Sequence, residues 1–169
     1  MKKDLTVLVE NTKTMKEIRE SRDSTIWKGS RFQHLKEIPS PRSKGAKAEQ
    51  ITQEIMEALG HKVKKPKSKQ HDRIIDGYKT EIKFSTSWSE KYNLFTWQQI
   101  RGFQDYQRII FVGCNPNDIQ FWWATKEDLK KHVFGKDKLR QHGGKDGDQE
   151  LYWLKDVHKR SWFRDLSTF

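Results

Sequence analysis

Two acidic residues and a lysine, Asp72, Glu81 and Lys83, have the types and spacing to bind a divalent cation beside a phosphate group. A hairpin centred between the two acids places Asp72 opposite Glu81, with Lys83 two residues further along the second strand. Because side chains alternate along a strand, all three emerge on one face of the sheet. Opposed carboxylates repel each other, and Mg²⁺ between them removes this repulsion, since it prefers carboxylate oxygen. The pattern therefore predicts a magnesium site with an ammonium group beside it.

The hairpin is indicated by the dipeptide Asp76-Gly77, which stands between two β-rich runs. An Asp-Gly pair is typical of a two-residue turn in which both residues need positive φ. This turn pairs Ile75 with Tyr78 and, further out, brings the two acids into register. Asp76 is then a turn residue rather than a metal ligand.

Asp72 followed by Glu81-Ile82-Lys83 resembles the signature of the PD-(D/E)xK nuclease superfamily, in which an acid on one strand precedes Glu-x-Lys on the next. The proline of that signature is absent, and His71 stands before the aspartate instead. The resemblance covers roughly residues 44–125. It implies a restriction-endonuclease-like fold and Mg²⁺-dependent cleavage of DNA to a 5′-phosphate and a 3′-hydroxyl. It also implies that Asp72, Glu81 and the backbone carbonyl of Ile82 hold the metal, with Lys83 catalytic.

The same resemblance implies two further catalytic residues outside the hairpin. In many superfamily members the helix before the hairpin contributes a glutamate to the active site, and Glu49 matches that position as a second metal ligand. The alternative is that Glu49 only interacts favourably with the dipole at the start of its helix. They also place a polar residue after the hairpin, where Gln99 or Arg101 would orient the attacked phosphate, with ordinary surface polarity as the alternative. The residues predicted to contact DNA are Lys44, Lys47, Arg101, Arg140 and His142.

The order of elements predicts a mixed sheet flanked by helices, an α/β fold in a single domain. Apolar residues at spacings of three and four predict a helix over 43–59 that ends at Gly60 and buries Ala48, Ile51, Ile55, Met56 and Leu59. After the hairpin, we expect a helix over 95–106, with Trp97, Ile100, Phe103 and Tyr106 near one face. Strands follow over 108–113 and 119–125, and a further helix begins at Lys126.

Three segments make up this domain. Residues 1–42 form a helical or irregular N-terminal segment, with a strand or helical turn over 5–9 and a polar helix over 14–20. Residues 43–134 form the nuclease core. Residues 135–169 form a basic loop and a C-terminal anchor, with a short strand over 151–154 and Trp162-Phe163 packing against the core.

The charge of the chain indicates a polyanionic partner. The 169 residues carry a formal net charge of +11, and 12% of them are aromatic. Such a surplus favours binding to double-stranded DNA, since each phosphate contact releases condensed counterions. The one cysteine, Cys114, excludes an internal disulfide, and no apolar run is long enough to span a membrane. We therefore expect a cytoplasmic protein.

Several functions fit this pattern. The first is a type II restriction endonuclease that acts as a homodimer. The second is the small catalytic subunit of a heterodimeric restriction or nicking enzyme, paired with a larger recognition subunit. The alternatives are a DNA repair or junction nuclease, and a catalytically silent DNA-binding module whose hairpin acids are structural.

Overall fold

A computed structural model of the chain describes residues 11–14, 26–88, 93–141, 151–155 and 160–169. The predicted strand or turn over 5–9, most of the predicted helix over 14–20, and His142 lie outside these residues. The division of the domain into segments ending at residues 42 and 134 stays a prediction.

Three α-helices and eight strands make up the described part of the chain beyond residue 30, with two short 3₁₀ turns at Asp137–Leu139 and Leu166–Thr168. The helices are α1 Gln33–Glu37, α2 Pro41–Ala58 and α3 Lys126–His132. The strands are β1 Val63–Lys64, β2 Arg73–Ile75, β3 Tyr78–Thr86, β4 Thr96–Arg101, β5 Arg108–Cys114, β6 Ile119–Thr125, β7 Leu151–Lys155 and β8 Arg164–Asp165.

Six of the strands form one mixed sheet in the order β1-β2-β3-β5-β6-β8, and β4 pairs with β7 in a separate two-stranded sheet. Within the large sheet only β3 and β5 run parallel; the other neighbours are antiparallel. The predicted α/β fold, a mixed sheet flanked by helices in a single domain, is confirmed. None of the described helices is long and apolar enough to cross a membrane.

The hairpin has the predicted register. Ile75 pairs with Tyr78 directly across the two turn residues, and Ile74 pairs with Lys79 one step further out. Asp76 has a φ of 50° and the following glycine a φ of 86°, as a two-residue turn with two left-handed residues requires. The Asp76 carboxylate also accepts the backbone N–H of Lys62 at 2.8 Å, which ties the turn to the segment between α2 and β1.

Each face of the large sheet has its own core. On one face α2 contributes Met56 to a cluster with Ile82 and Ile110. On the other face the two-stranded sheet contributes Trp97 and Tyr152, which pack with Phe111 and with Leu129 of α3 in a second cluster. Glu81 and Lys83 alternate with Ile82 along β3, so they lie on the side of the two-stranded sheet.

The predicted helix over 95–106 is wrong: this segment contains β4. Trp97 and Ile100 are both buried, and the register with β7 shifts between them. Gln99, which has a φ of 53°, is the extra residue of this β-bulge. The bulge separates two inward-facing residues by three positions instead of two, and that spacing imitates a helical period. Phe103, predicted on the same face, is 54% exposed.

The helix predicted over 43–59 exists, but its boundaries and buried face differ. It begins at Pro41, because Ser40 caps it by accepting the N–H of Ser43, and proline fits the first helical position. Its buried residues are Ala48, Thr52 and Met56, whereas Ile55 and Leu59 are 38% and 57% exposed. The buried face of the helix is therefore centred on residues spaced by four, and the predicted Ile51 at its side is only partly buried.

The remaining strand predictions are confirmed. The strand predicted over 108–113 is β5, extended by one residue, and β6 spans the predicted residues 119–125. The strand predicted over 151–154 is β7, and Trp162 and Phe163 are buried in the core. Helix α3 begins at Lys126 after Thr125, whose side chain and that of Asp128 form a capping box.

Candidate active site

A cleft with a volume of about 1270 Å³ runs along β3. One side is the beginning of α2, and the other is the outer face of the two-stranded sheet. Six basic side chains and three acidic ones line it: Arg42, Lys44, Lys69, Lys83, Arg101 and Lys155, with Glu49, Asp72 and Glu81. The cleft therefore combines a basic surface with a small group of acids at its base.

The acids meet where β2 ends beside β3. Strand β2 pairs with only the first three residues of β3, so β2 leaves this edge of β3 uncovered beyond Thr80. Asp72, just before β2, reaches over this edge, and its Oδ2 accepts the backbone N–H of Ile82 at 2.8 Å. Since the N–H and C=O of one strand residue point to the same side, the Ile82 carbonyl faces the same edge.

Glu81 and Lys83 are a close ion pair. The Lys83 Nζ lies 2.8 Å from Glu81 Oε1, and the two side chains are only 15% and 5% exposed. Burial raises the pKa of Glu81, and the negative charge of Asp72 raises it further, while Lys83 lowers it. Burial thus disfavours the ionised form of Glu81, and the Lys83 ammonium favours it.

Glu49 reaches the site from α2 and is bound by an arginine. Arg73, on β2, is buried and donates from Nη1 to Glu49 Oε2 at 3.2 Å and to the Asp72 carbonyl at 2.7 Å. Its Nε donates to Gln53 at 2.9 Å. Burial raises the pKa of Glu49, and the charge of Asp72 adds to this, against the opposing charge of Arg73.

These groups suit a hard divalent cation. Mg²⁺ in proteins is usually bound by one or two carboxylates and keeps several waters, and Asp72 and Glu81 supply two carboxylates beside a backbone carbonyl. Burial is the main cause of the raised pKa of Glu81, and the negative charge of Asp72 adds to it; a cation bound between the two would favour both ionised carboxylates. No group of three or more His, Cys, Asp and Glu side chains within the described residues is arranged to hold a metal together. The carboxylate of Glu49 is instead engaged by Arg73.

The other predicted site residues fall into two groups. Lys44, Gln99 and Arg101 line the cleft, and Arg101 Nη2 donates to Gln99 Oε1 at 3.2 Å. Gln99 and Arg101 are there on a strand and its bulge, not on the helix that the sequence predicted. Lys47 and Arg140 are exposed and do not line this cleft.

Sequence reasoning missed several residues in the cleft or next to its acidic side chains. Arg73 was detectable, since strand alternation puts it on the face opposite to its neighbour Asp72, toward α2. Tyr106 lies near Glu81: burial, and then the charge of Glu81, raise the pKa of its hydroxyl. Trp88 and Trp153 line the cleft wall, and no local sequence signal brings together residues so far apart.

Comparisons with known proteins find a weak structural likeness. No protein-family model matches the chain, and neither does any curated protein. Among solved structures, the chain is similar to a bacterial homing endonuclease, at 19% sequence identity and a TM-score of 0.43. The similarity covers 66% of this chain and 87% of that chain. What this chain does is therefore inferred from the side chains of its own cleft.

Proposed function

We propose that the chain is a metal-dependent DNA endonuclease that hydrolyses phosphodiester bonds. The observation that carries this proposal is the group Asp72, Glu81 and Lys83 at the base of a basic cleft. Asp72 is half-buried and Glu81 is buried, and two neighbouring carboxylates in such a setting favour binding of a cation in addition to the Lys83 ammonium. A fold that keeps both, beside a lysine and under a basic surface, has the features of a site for phosphate chemistry.

Each residue has a distinct role in this proposal. Asp72, Glu81 and the Ile82 carbonyl would hold Mg²⁺. When bound, the metal supplies polarisation of the phosphate and acidification of a water. Lys83 places its ammonium beside Glu81, where it stabilises negative charge that develops on the attacked phosphate. Arg101, held by Gln99, presents a guanidinium to the same cleft and positions the DNA backbone.

The DNA strand would follow the cleft past the start of α2. The positive end of the α2 dipole and the side chains of Arg42 and Lys44 attract phosphate there. The formal net charge of +11 adds long-range attraction, which salt weakens.

Plasmid cleavage tests this activity. Supercoiled plasmid is incubated with the pure chain and Mg²⁺, and the ends are mapped; we expect 5′-phosphate and 3′-hydroxyl termini. Asp72→Asn and Glu81→Gln should abolish cleavage and leave DNA binding intact or tighter, since each removes a negative charge that faces phosphate. Lys83→Met should slow cleavage by about 100- to 1000-fold, the usual cost of losing one preorganised charge-stabilising group.

Asp76→Asn is the matched control, because Asp76 lies in the same hairpin but outside the cleft lining. Asn-Gly forms the same turn, so this variant should keep most of its activity. Wild-type cleavage by Asp72→Asn would contradict the proposal. DNA binding without cleavage by the wild-type chain, across Mg²⁺ concentrations and with partner subunits added, would favour a catalytically silent DNA-binding module.

We also propose that a double-strand break needs a second active site, since one site cuts one strand. A homodimer would read a palindrome in the manner of a type II restriction enzyme. A small catalytic subunit would instead be monomeric and would cut or nick only beside a larger recognition subunit. Light scattering combined with the plasmid assay separates the two: a stable dimer that linearises plasmid at fixed positions excludes the partner-dependent form.

A further inference from the structure

Two tryptophans line one wall of the cleft, on the side of the two-stranded sheet. Trp88 follows the end of β3 and is 44% exposed. Trp153 lies on β7, where its neighbours Tyr152 and Leu154 are fully buried, so the alternation of the strand turns Trp153 away from the core. Two aromatic rings grouped on the wall of an open cleft indicate a binding surface.

The ammonium group of one lysine lies near both tryptophan rings. Lys155 Nζ lies 4.6 Å from the ring centroid of Trp153 and 5.6 Å from that of Trp88. Both distances are within the range of a cation–π contact. The cleft wall therefore presents aromatic faces and a cation together, which is the combination that binds unpaired bases and the adjoining phosphates.

This wall is close enough to the acids to contact the same DNA strand. Trp88 comes five positions after Lys83, so at about 3.3 Å per extended residue their Cα atoms lie at most ~17 Å apart. That is roughly five base steps of a duplex at 3.4 Å each, and fewer nucleotides of an extended single strand. A strand whose phosphate lies at Asp72 and Glu81 can therefore reach both tryptophans.

We propose that Trp88 and Trp153 stack on unpaired bases, so that the substrate is DNA with a single-stranded segment beside the cleavage site. The bases of a continuous duplex are already stacked on one another and offer no free face to a tryptophan. The six basic side chains that line the cleft complement the backbone of such a strand. This inference rests on the proposed function for its choice of DNA, and extends it by naming a gap, a flap or a junction as the substrate class.

Equilibrium binding of labelled oligonucleotides in EDTA tests the inference without cleavage. The wild-type chain should bind a single strand and a gapped duplex more tightly than a blunt duplex of equal length. Trp88→Ala and Trp153→Leu should each weaken binding to the gapped duplex by about 5- to 150-fold, the usual effect of losing one stacked base, and leave blunt-duplex binding unchanged. Trp88→Phe should restore part of the affinity.

Two controls separate stacking from charge and from general loss of aromatic surface. Phe103→Ala removes another exposed aromatic, 54% exposed and outside the cleft lining, and should leave all affinities unchanged. Lys155→Gln should reduce the slope of log affinity against log salt by about 0.7–0.9, whereas the tryptophan variants should keep the wild-type slope. Circular dichroism checks that each variant is folded.

Several outcomes would overturn the inference. Equal affinity of the wild-type chain for gapped and blunt duplexes would do so, as would folded tryptophan variants that bind like Phe103→Ala. A shift of oligomeric state in these variants with unchanged DNA affinity would assign the wall to a second copy of the chain. The proposed function is tested separately. If the chain prefers gapped DNA through its tryptophans but never cleaves DNA, the inference about unpaired bases stands and the proposed nuclease activity is refuted.

Discussion

Replacing Arg73 by methionine removes the side chain that joins α2 to the hairpin at the candidate active site. Arg73 is 8% exposed and bonds to Glu49, Gln53 and the Asp72 carbonyl at 3.2, 2.9 and 2.7 Å. Methionine keeps most of the apolar volume and removes the charge and all three hydrogen bonds. In Arg73→Met, the Glu49 carboxylate therefore lies near Asp72 without the guanidinium that pairs with it in the wild-type chain.

The magnitude follows from the burial of the pair. Removing one partner of a buried ion pair costs about 3–5 kcal/mol. The Glu49 side chain is 30% exposed, so water partly solvates it, and we expect about 3 kcal/mol for Arg73→Met. Glu49→Gln should cost only about 1 kcal/mol, because Arg73 keeps its bonds to Gln53 and to the Asp72 carbonyl. The double variant should lose less than the sum of the two, since it leaves no unpaired carboxylate.

Urea unfolding gives the free energy of unfolding of each variant, with unchanged m-values required for the comparison. The pH dependence supplies a second readout. Burial already holds the pKa of Glu49 above its ordinary value, and loss of Arg73 raises that pKa further. A group whose folded pKa is raised loses stability as pH rises above its unfolded pKa, about 4.3 for glutamate. The deficit of Arg73→Met should therefore be smaller at pH 4 than at pH 7.

A cost below about 0.5 kcal/mol for Arg73→Met would refute this reasoning, because surface substitutions have effects of that size. So would a Glu49→Gln variant as unstable as Arg73→Met. Arg73→Lys is the matched conservative change: it keeps the charge and loses the fork that serves three acceptors, so it should fall between wild type and Arg73→Met.

Two further predictions concern the stability of the fold outside the cleft. The hydrogen bond from His61, and then that from the Lys62 backbone, lower the pKa of Asp76, so its contribution is present above pH 4 and is lost as pH falls through the folded pKa. Asp76→Asn should accordingly be about 0.2–1 kcal/mol less stable than wild type at pH 5, with the difference shrinking at pH 3 in urea titrations; a constant difference would contradict this. Gly113→Ala should destabilise by about 1–3 kcal/mol, because the added Cβ would lie 2.6 Å from the buried Phe95 ring. Gly45→Ala, on α2 with nothing within 4 Å, is its control and should be neutral or stabilising by up to about 1 kcal/mol; equal thermal shifts in the two would refute the clash.

The hairpin and the side chains that it brings together can be predicted from the local sequence. Asp76-Gly77 permits the left-handed turn, the turn sets the register, and the register sets which residues share a face. Strands β5 and β6 could also be predicted from the sequence, since each is a run of mostly apolar residues next to a clear turn signal. These features depend on interactions between residues close in the chain, which is why local patterns predict them.

The identity of β4, the buried face of α2 and the composition of the cleft depend on contacts between segments distant in the chain. A bulge at Gln99 gives β4 the spacing of a helix, and what makes it a strand is its pairing with β7, some fifty residues later in the chain. The second cluster needs Trp97 and Ile100 inward, which fixes that pairing. In the same way, Arg73 meets Glu49 and Trp153 joins Trp88 only because the strands and α2 pack around β3. Contacts between distant segments depend on how whole elements bury their apolar faces, and that is a property of the assembled chain.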